Sequence, residues 1–116
     1  MVADQELSEV EIDRVFHALA DTTRRDILRR AVDAEYSIST LAADYAMSFA
    51  AVQKNVAVLE AAHLIVKRAE GRERLVRADP TMITRAHALL GRYEDLWRAR
   101  VDRLDALLNE DRIEGD

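Results

Sequence analysis

The chain has no cysteine. That removes disulfides, thiolate metal sites and thiol nucleophiles together, so neither fold nor function rests on sulfur chemistry. It also lacks any apolar run near the roughly 18 residues that a membrane span needs. Its acidic start, Met1-Val2-Ala3-Asp4-Gln5-Glu6, has neither the basic nor the apolar region of a signal peptide, and a cytoplasmic protein with no membrane partner is expected. Glycine is scarce, three residues in all, with no Gly-rich phosphate loop among them. No Ser-His-Asp or carboxylate constellation stands away from solvated helix faces, so neither an enzyme nor a cofactor is expected. His17, His63 and His87 show no His-x-x-x-His spacing, and each reads as a cap, surface or core residue rather than a metal ligand. There is no internal repeat and no low-complexity segment.

What is present points to one folded domain. A length of 116 residues leaves room for a single core, and 49% apolar with 34% charged residues is too hydrophobic for disorder. The net charge of -5 hides a segregation: -4 over residues 1–35, +2 over 36–78 and -3 over 79–116. Charges are screened beyond about 8 to 10 Å, so a modest basic face on an acidic body is enough to dock on DNA.

Ile12, Val15, Phe16 and Leu19 recur at helical spacing and predict a helix over Ser8 to Ala20. Asp21 ends it and caps a second helix by accepting from the N–H groups of Thr23 and Arg24, with Ile27, Leu28 and Ala31 inward. After a polar linker, Tyr36-Ser37-Ile38 is extended in character. Ser39 is then the expected N-cap of a short third helix with Leu41, Ala42 and Tyr45 inward. Ala46 and Met47 turn the chain, and Ser48 caps a fourth helix to Ala62 whose inner face is Val52, Val56 and Leu59. Two short helices so joined form the helix-turn-helix pattern, here 39–62.

The period then changes. Leu64 to Arg68 and Arg74 to Ala78 are short β-type runs, separated by Ala69-Glu70-Gly71-Arg72-Glu73, and predict a hairpin over 64–78. It carries Lys67, Arg68, Arg72 and Arg74. A helix-turn-helix followed by a basic hairpin is a winged helix. Asp79-Pro80 then opens a long helix to about Leu108, since proline suits the first helical position. Its apolar positions Ala86, Leu90, Tyr93, Trp97, Val101, Leu104 and Leu108 step by three or four, widened by Leu89, Leu96 and Leu107. At roughly 40 Å such a helix is more than this core can cover, so part of it is expected to meet a second copy. Gly91 marks a close helix crossing or a bend, and the acidic tail from Asn109 to Asp116 is expected to fray. The fold class is thus mainly α with a small β-hairpin wing, a single winged helix-turn-helix domain over 1–116. Its terminal helices, 8–20 and 80–108, form a homodimer interface that includes Val15, Phe16, Leu90, Tyr93, Trp97, Val101 and Leu104.

Three strings resemble one family. Phe16-His17-Ala18-Leu19-Ala20-Asp21-Thr22-Thr23-Arg24-Arg25-Asp26-Ile27-Leu28 is similar to the "ALADPTRRxIL" opening of the arsenical-resistance-regulator (ArsR) family of bacterial repressors. Met47-Ser48-Phe49-Ala50-Ala51-Val52-Gln53-Lys54-Asn55-Val56-Ala57-Val58-Leu59-Glu60 resembles its recognition helix, "SxxAVSKHLxVLE". Gly71-Arg72 matches its wing, and Tyr93 to Leu104 looks like the closing helix of a metal-independent branch. The chain departs from the pattern with Thr22 for proline and His63 for glycine, and with Gln53 and Asn55 for the common serine and histidine of the recognition helix, so the target sequence is not carried over from relatives. At the family's thiolate motif, "ELCVCDL", Ser37 and Ser39 stand at the cysteine positions, and hydroxyls are poor ligands for soft metals. Nor does His87 find further ligands in the long helix, where Arg98 and Val101 stand.

The reading that follows is a transcriptional repressor that binds an imperfect palindrome in double-stranded DNA as a homodimer and does not respond to metal. With Val52, Val56 and Leu59 buried, Phe49, Ala50, Gln53, Lys54 and Ala57 face the major groove. Gln53 pairs with an adenine edge, Lys54 with guanine or phosphate, and Phe49 and Ala50 with thymine methyls, while Ser48 is first an N-cap and also suits a phosphate. Arg72 and Arg74 reach the flanking backbone or minor groove; Lys67 and Arg68 either touch phosphate or are simply solvated. Trp97 and Tyr93 line a pocket for an unidentified small-molecule effector or serve packing alone. The competing reading is a winged-helix interaction module that has given up DNA and docks partners on its long helix.

Overall fold

In a computed structural model, which describes residues 6–114 with side chains as far as 111, the helices begin where capping chemistry places them. Helix α1, Glu9–Leu19, opens on a capping box: the Ser8 hydroxyl accepts the Glu11 N–H at 3.2 Å and the Glu11 carboxylate accepts the Ser8 N–H at 2.9 Å. The Asp21 carboxylate accepts the Arg24 N–H at 3.0 Å and starts α2, Thr22–Asp33. Strand β1 is two residues long, Tyr36–Ser37. Helix α3, Ile38–Tyr45, is capped by Ser37 and not by Ser39. Both serines suit the role locally. The choice is made by distant pairing of Tyr36 and Ser37 with Val76 and Leu75, which holds Ser37 extended so that the helix begins at buried Ile38.

Helix α4, Phe49–Ala61, is capped by the Ser48 hydroxyl on the Ala51 N–H at 3.1 Å. The turns at the ends of α3 and α4 use the left-handed region without glycine, at Ala46 (φ 54) and His63 (φ 60). At the second, the Leu64 N–H reaches the Leu59 carbonyl at 3.1 Å and the His63 N–H the Glu60 carbonyl at 2.9 Å, which satisfies carbonyls that the helix end would leave without partners.

Strands β2, Ile65–Glu70, and β3, Glu73–Ala78, pair antiparallel from Ile65↔Ala78 to Glu70↔Glu73. With β1 they form a three-stranded sheet of order β1-β3-β2. The strands run closer to the tip than the sequence pattern suggests, leaving Gly71 and Arg72 as the loop in place of five residues. Gly71 takes φ +61, the left-handed conformation a two-residue hairpin loop asks for. Helix α5 spans Pro80–Glu114. The Asp79 carboxylate accepts the Thr81 N–H at 3.0 Å, and the Asp79 N–H donates to the Leu64 carbonyl at 2.9 Å. The expected fraying from Asn109 does not occur as far as Glu114: these residues contain no glycine or proline, and local hydrogen bonding continues the helix without apolar spacing. Gly115 and Asp116 lie outside the described residues.

The chain divides into two compact units, one ending at Ala86 and one beginning at His87. The first holds the core, where α4 packs on α1, α2, α3 and β2. Ile27, Ile38, Leu41, Val52, Val56, Leu59, Leu64, Ile65 and Val76 are its fully enclosed side chains, joined by Val15, Ala18 and Met82. Among the described residues no buried side-chain nitrogen or oxygen lacks a hydrogen bond. The second unit is the continuation of α5 alone.

Candidate nucleic-acid interface

A helix that gives one face to a core must offer the other to something else. On α4, Val52, Val56 and Leu59 are each 0% exposed, so that face of the helix is turned to the core. Ala50, Gln53, Lys54 and Ala57 then fall in an exposed row beside half-exposed Phe49, as the 3.6-residue period requires. Gln53 and Lys54 make no side-chain hydrogen bond or ion pair among the described residues. Ser48 is occupied as the cap. Asn55 is different: it is half-buried, and its carboxamide oxygen accepts from the Arg24 guanidinium at 3.4 Å.

The hairpin's four cations separate into two pairs. Lys67 is bound to Glu60 of α4 at 3.2 Å. Arg68 forks onto both oxygens of Glu35, at 2.8 and 2.7 Å, and reaches Glu70 at 3.1 Å. These contacts hold the Glu35 carboxyl below its ordinary value and raise the Arg68 guanidinium. Arg72, in the loop, and Arg74, opposite Ala69, are exposed and pair with no described carboxylate. Strand alternation puts Arg74 on the same face as Lys67 and Val76, the face turned toward the helices. The sequence reading set Arg72 and Arg74 on DNA and left Lys67 and Arg68 between phosphate and solvent; the partners of Arg68 and Lys67, Glu35 and Glu60, lie 33 and 7 residues away and carry no local signal.

Of the residues expected to meet a partner chain, Val15 is 2% exposed and belongs to the core of its own unit, so it has no surface to offer. Phe16, one residue on, is 47% exposed. Along α5, Leu90, Tyr93, Trp97, Val101 and Leu104 are all exposed, as are Leu96, Leu107 and Leu108. The Arg100 guanidinium lies 5.7 Å from the Trp97 ring centre. A Cβ at Gly91 would meet nothing within 4 Å, so no crossing element in this chain requires the glycine. Among the described residues no three His, Asp or Glu side chains converge as a metal site would need, and no helix is long and apolar enough to cross a membrane.

No protein-family model matches the chain. It is 36% identical over 81 residues to the HTH-type transcriptional regulator Rv2034 of Mycobacterium tuberculosis, a match covering 70% of this chain and 76% of that one. An ArsR-like transcriptional regulator from Rhodococcus sp. RHA1 superimposes with a TM-score of 0.74 at 31% identity, over 84% of this chain and 92% of its own. The chain belongs to the ArsR family. It is therefore a winged helix-turn-helix transcriptional regulator, with α3 and α4 as the helix-turn-helix and β2-β3 as the wing. A third similar structure, at TM-score 0.60 and 26% identity over 73% of this chain and 79% of its own, is a domain of Mb0332 from Mycobacterium bovis. That protein is described as a homodimeric winged helix-turn-helix DNA-binding domain and a possible ArsR-family regulator.

Proposed function

We infer that this ArsR-family chain binds an imperfect palindromic operator in double-stranded DNA as a homodimer and represses transcription by occupying it, acting in the cytoplasm. The observation that carries the reading is the pair of uncommitted polar surfaces in one unit: Gln53 and Lys54 on α4, and Arg72 and Arg74 on the wing. Gln53 supplies a donor and an acceptor for adenine N7 and N6, and Lys54 a cation for guanine or phosphate. Phe49 and Ala50 supply apolar contact for thymine methyls, while Arg72 and Arg74 supply charge for the flanking backbone. Lys67 and Arg68 hold the wing to Glu60 and Glu35 and are assigned no phosphate.

The dimer is supported by the exposed apolar row on α5 and by Phe16; the Mb0332 domain, similar in fold, is described as homodimeric. On this reading the whole chain works as a single winged-helix domain with its terminal helices as dimerisation elements. A response independent of metal is supported by Ser37, one of the two serines at the thiolate positions. It is buried, and its hydroxyl is engaged with Thr40, accepting the backbone N–H at 3.0 Å and donating to Oγ1 at 2.8 Å. Relief of repression then comes through another effector or a falling protein level.

Selection of bound duplexes from a genomic library, followed by gel shift, tests the reading. The expected result is a retarded fragment with two related half-sites about one helical turn apart. Failure to retard any duplex at low ionic strength overturns it and leaves the interaction-module reading, which the acidic net charge favours.

A further inference from the structure

The last carbonyls of a helix have no partner within it. In α1 three of them are taken by two adjacent arginines of α2. Arg25 donates from Nη1 to the Leu19 carbonyl at 2.6 Å. Arg24 donates from Nε to the Ala18 carbonyl at 2.9 Å and from Nη2 to the His17 carbonyl at 3.0 Å. The remaining arm of Arg24 is the one that reaches α4, from Nη1 to Asn55 Oδ1 at 3.4 Å.

A guanidinium is a rigid planar fork of five donors, so this one group joins the end of α1, the start of α2 and the middle of α4. Asn55 lies two residues beyond Gln53, about 200° around the helix, on the side turned to α2. The apolar contacts of Val52, Val56 and Leu59 hold α4 against the core but are not directional. The Arg24–Asn55 hydrogen bond is.

We propose that Arg24, acting through Asn55, is a positioning residue for DNA reading: it sets the rotation of α4 and hence the angle at which Gln53 meets a base edge. The proposal rests on the DNA-binding reading above. Bidentate contact with a base tolerates little misplacement, whereas a cation on phosphate tolerates more. Losing the link therefore costs selectivity before it costs affinity for random DNA.

The test uses the full chain and two duplexes, one recovered by selection and one of scrambled sequence and equal length. The quantity read is the ratio of the two affinities. Asn55→Ala is expected to lower that ratio about tenfold, at the low end of what a base contact discriminates, with binding to the scrambled duplex nearly unchanged. Asn55→Asp keeps an acceptor for Arg24. It weakens both complexes by adding negative charge but retains the wild-type ratio. Arg24→Lys lowers the ratio in the wild-type background and adds little to Asn55→Ala.

An Asn55→Ala protein with undiminished selectivity overturns the proposal. So does an Asn55→Asp protein as unselective as Asn55→Ala, because Asn55 then touches DNA itself, and so does a double variant in which the two losses multiply. Should Arg24→Lys fail to fold, the two Asn55 variants decide alone. A wild-type protein that does not prefer the selected duplex has a different signature and breaks the DNA reading, taking this proposal with it.

Discussion

The two units of the chain treat apolar side chains in opposite ways. Up to Ala86, leucine, isoleucine and valine at helical or alternating spacing are mostly enclosed, and Val52, Val56, Leu59 and Val76 have no exposed surface at all. From His87 onward the same spacing leaves Leu90, Trp97, Leu104 and Leu108 with half or more of their surface open. One pattern therefore has two meanings. In the first unit it records packing within the chain. In the second, from Leu90 on, it records surface that water disfavours and that the helix does not bury by itself.

Substitutions on either side of Ala86 can break this contrast. The largest effect belongs to the enclosed side: Leu59→Ala is expected to cost about 2 to 5 kcal/mol of stability in chemical denaturation. A loss below 1 kcal/mol would mean that α4 is not held by the core. Trp97→Ala is expected to act on assembly, weakening the dimer by about 2 to 4 kcal/mol in sedimentation equilibrium, as truncation of a central aromatic does. An undiminished dimer would remove Trp97 from the interface. Gln53→Ala touches neither core nor dimer. It is expected to cost about 1 to 3 kcal/mol at the selected duplex and much less on scrambled DNA, and equal losses on both would take Gln53 out of base readout.

The smallest effect concerns the anchoring of the wing. Arg68 depresses the Glu35 carboxyl below its ordinary value of 4.5, so the folded state holds the ionised form more strongly than the unfolded chain does. The stabilisation is complete above about pH 4.5 and is lost as pH falls through the lower, folded value. Thermal melts from pH 6 to pH 3 are expected to show a shallower acid decline for Glu35→Gln than for the wild type; parallel declines would leave Glu35 without this role.

The same contrast explains what could be read in advance. Helix positions and the inward triad of α4 follow from period and capping, because Ser48, Val52, Val56 and Leu59 act through neighbours in the sequence. Apart from the helical tail beyond Asn109, the departures turn on distant partners or on backbone geometry. Ser37 displaces Ser39 as a cap because β3 pairs with Tyr36 and Ser37. Val15 and Phe16 are adjacent and both apolar, yet the one is enclosed and the other open. The commitment of Lys67 and Arg68 to Glu60 and Glu35, and the reach of Arg24 to Asn55, have no counterpart in local spacing.

Ala46 and His63 carry a further consequence. A side chain in the left-handed region costs roughly 1 to 2 kcal/mol relative to the right-handed helix, and both α3 and α4 terminate through such a residue. Glycine at either joint would relieve that steric cost without altering Gln53, Lys54 or the wing arginines. The two joints thus offer a route to a hardier regulator whose exposed α4 and wing side chains are left as they stand.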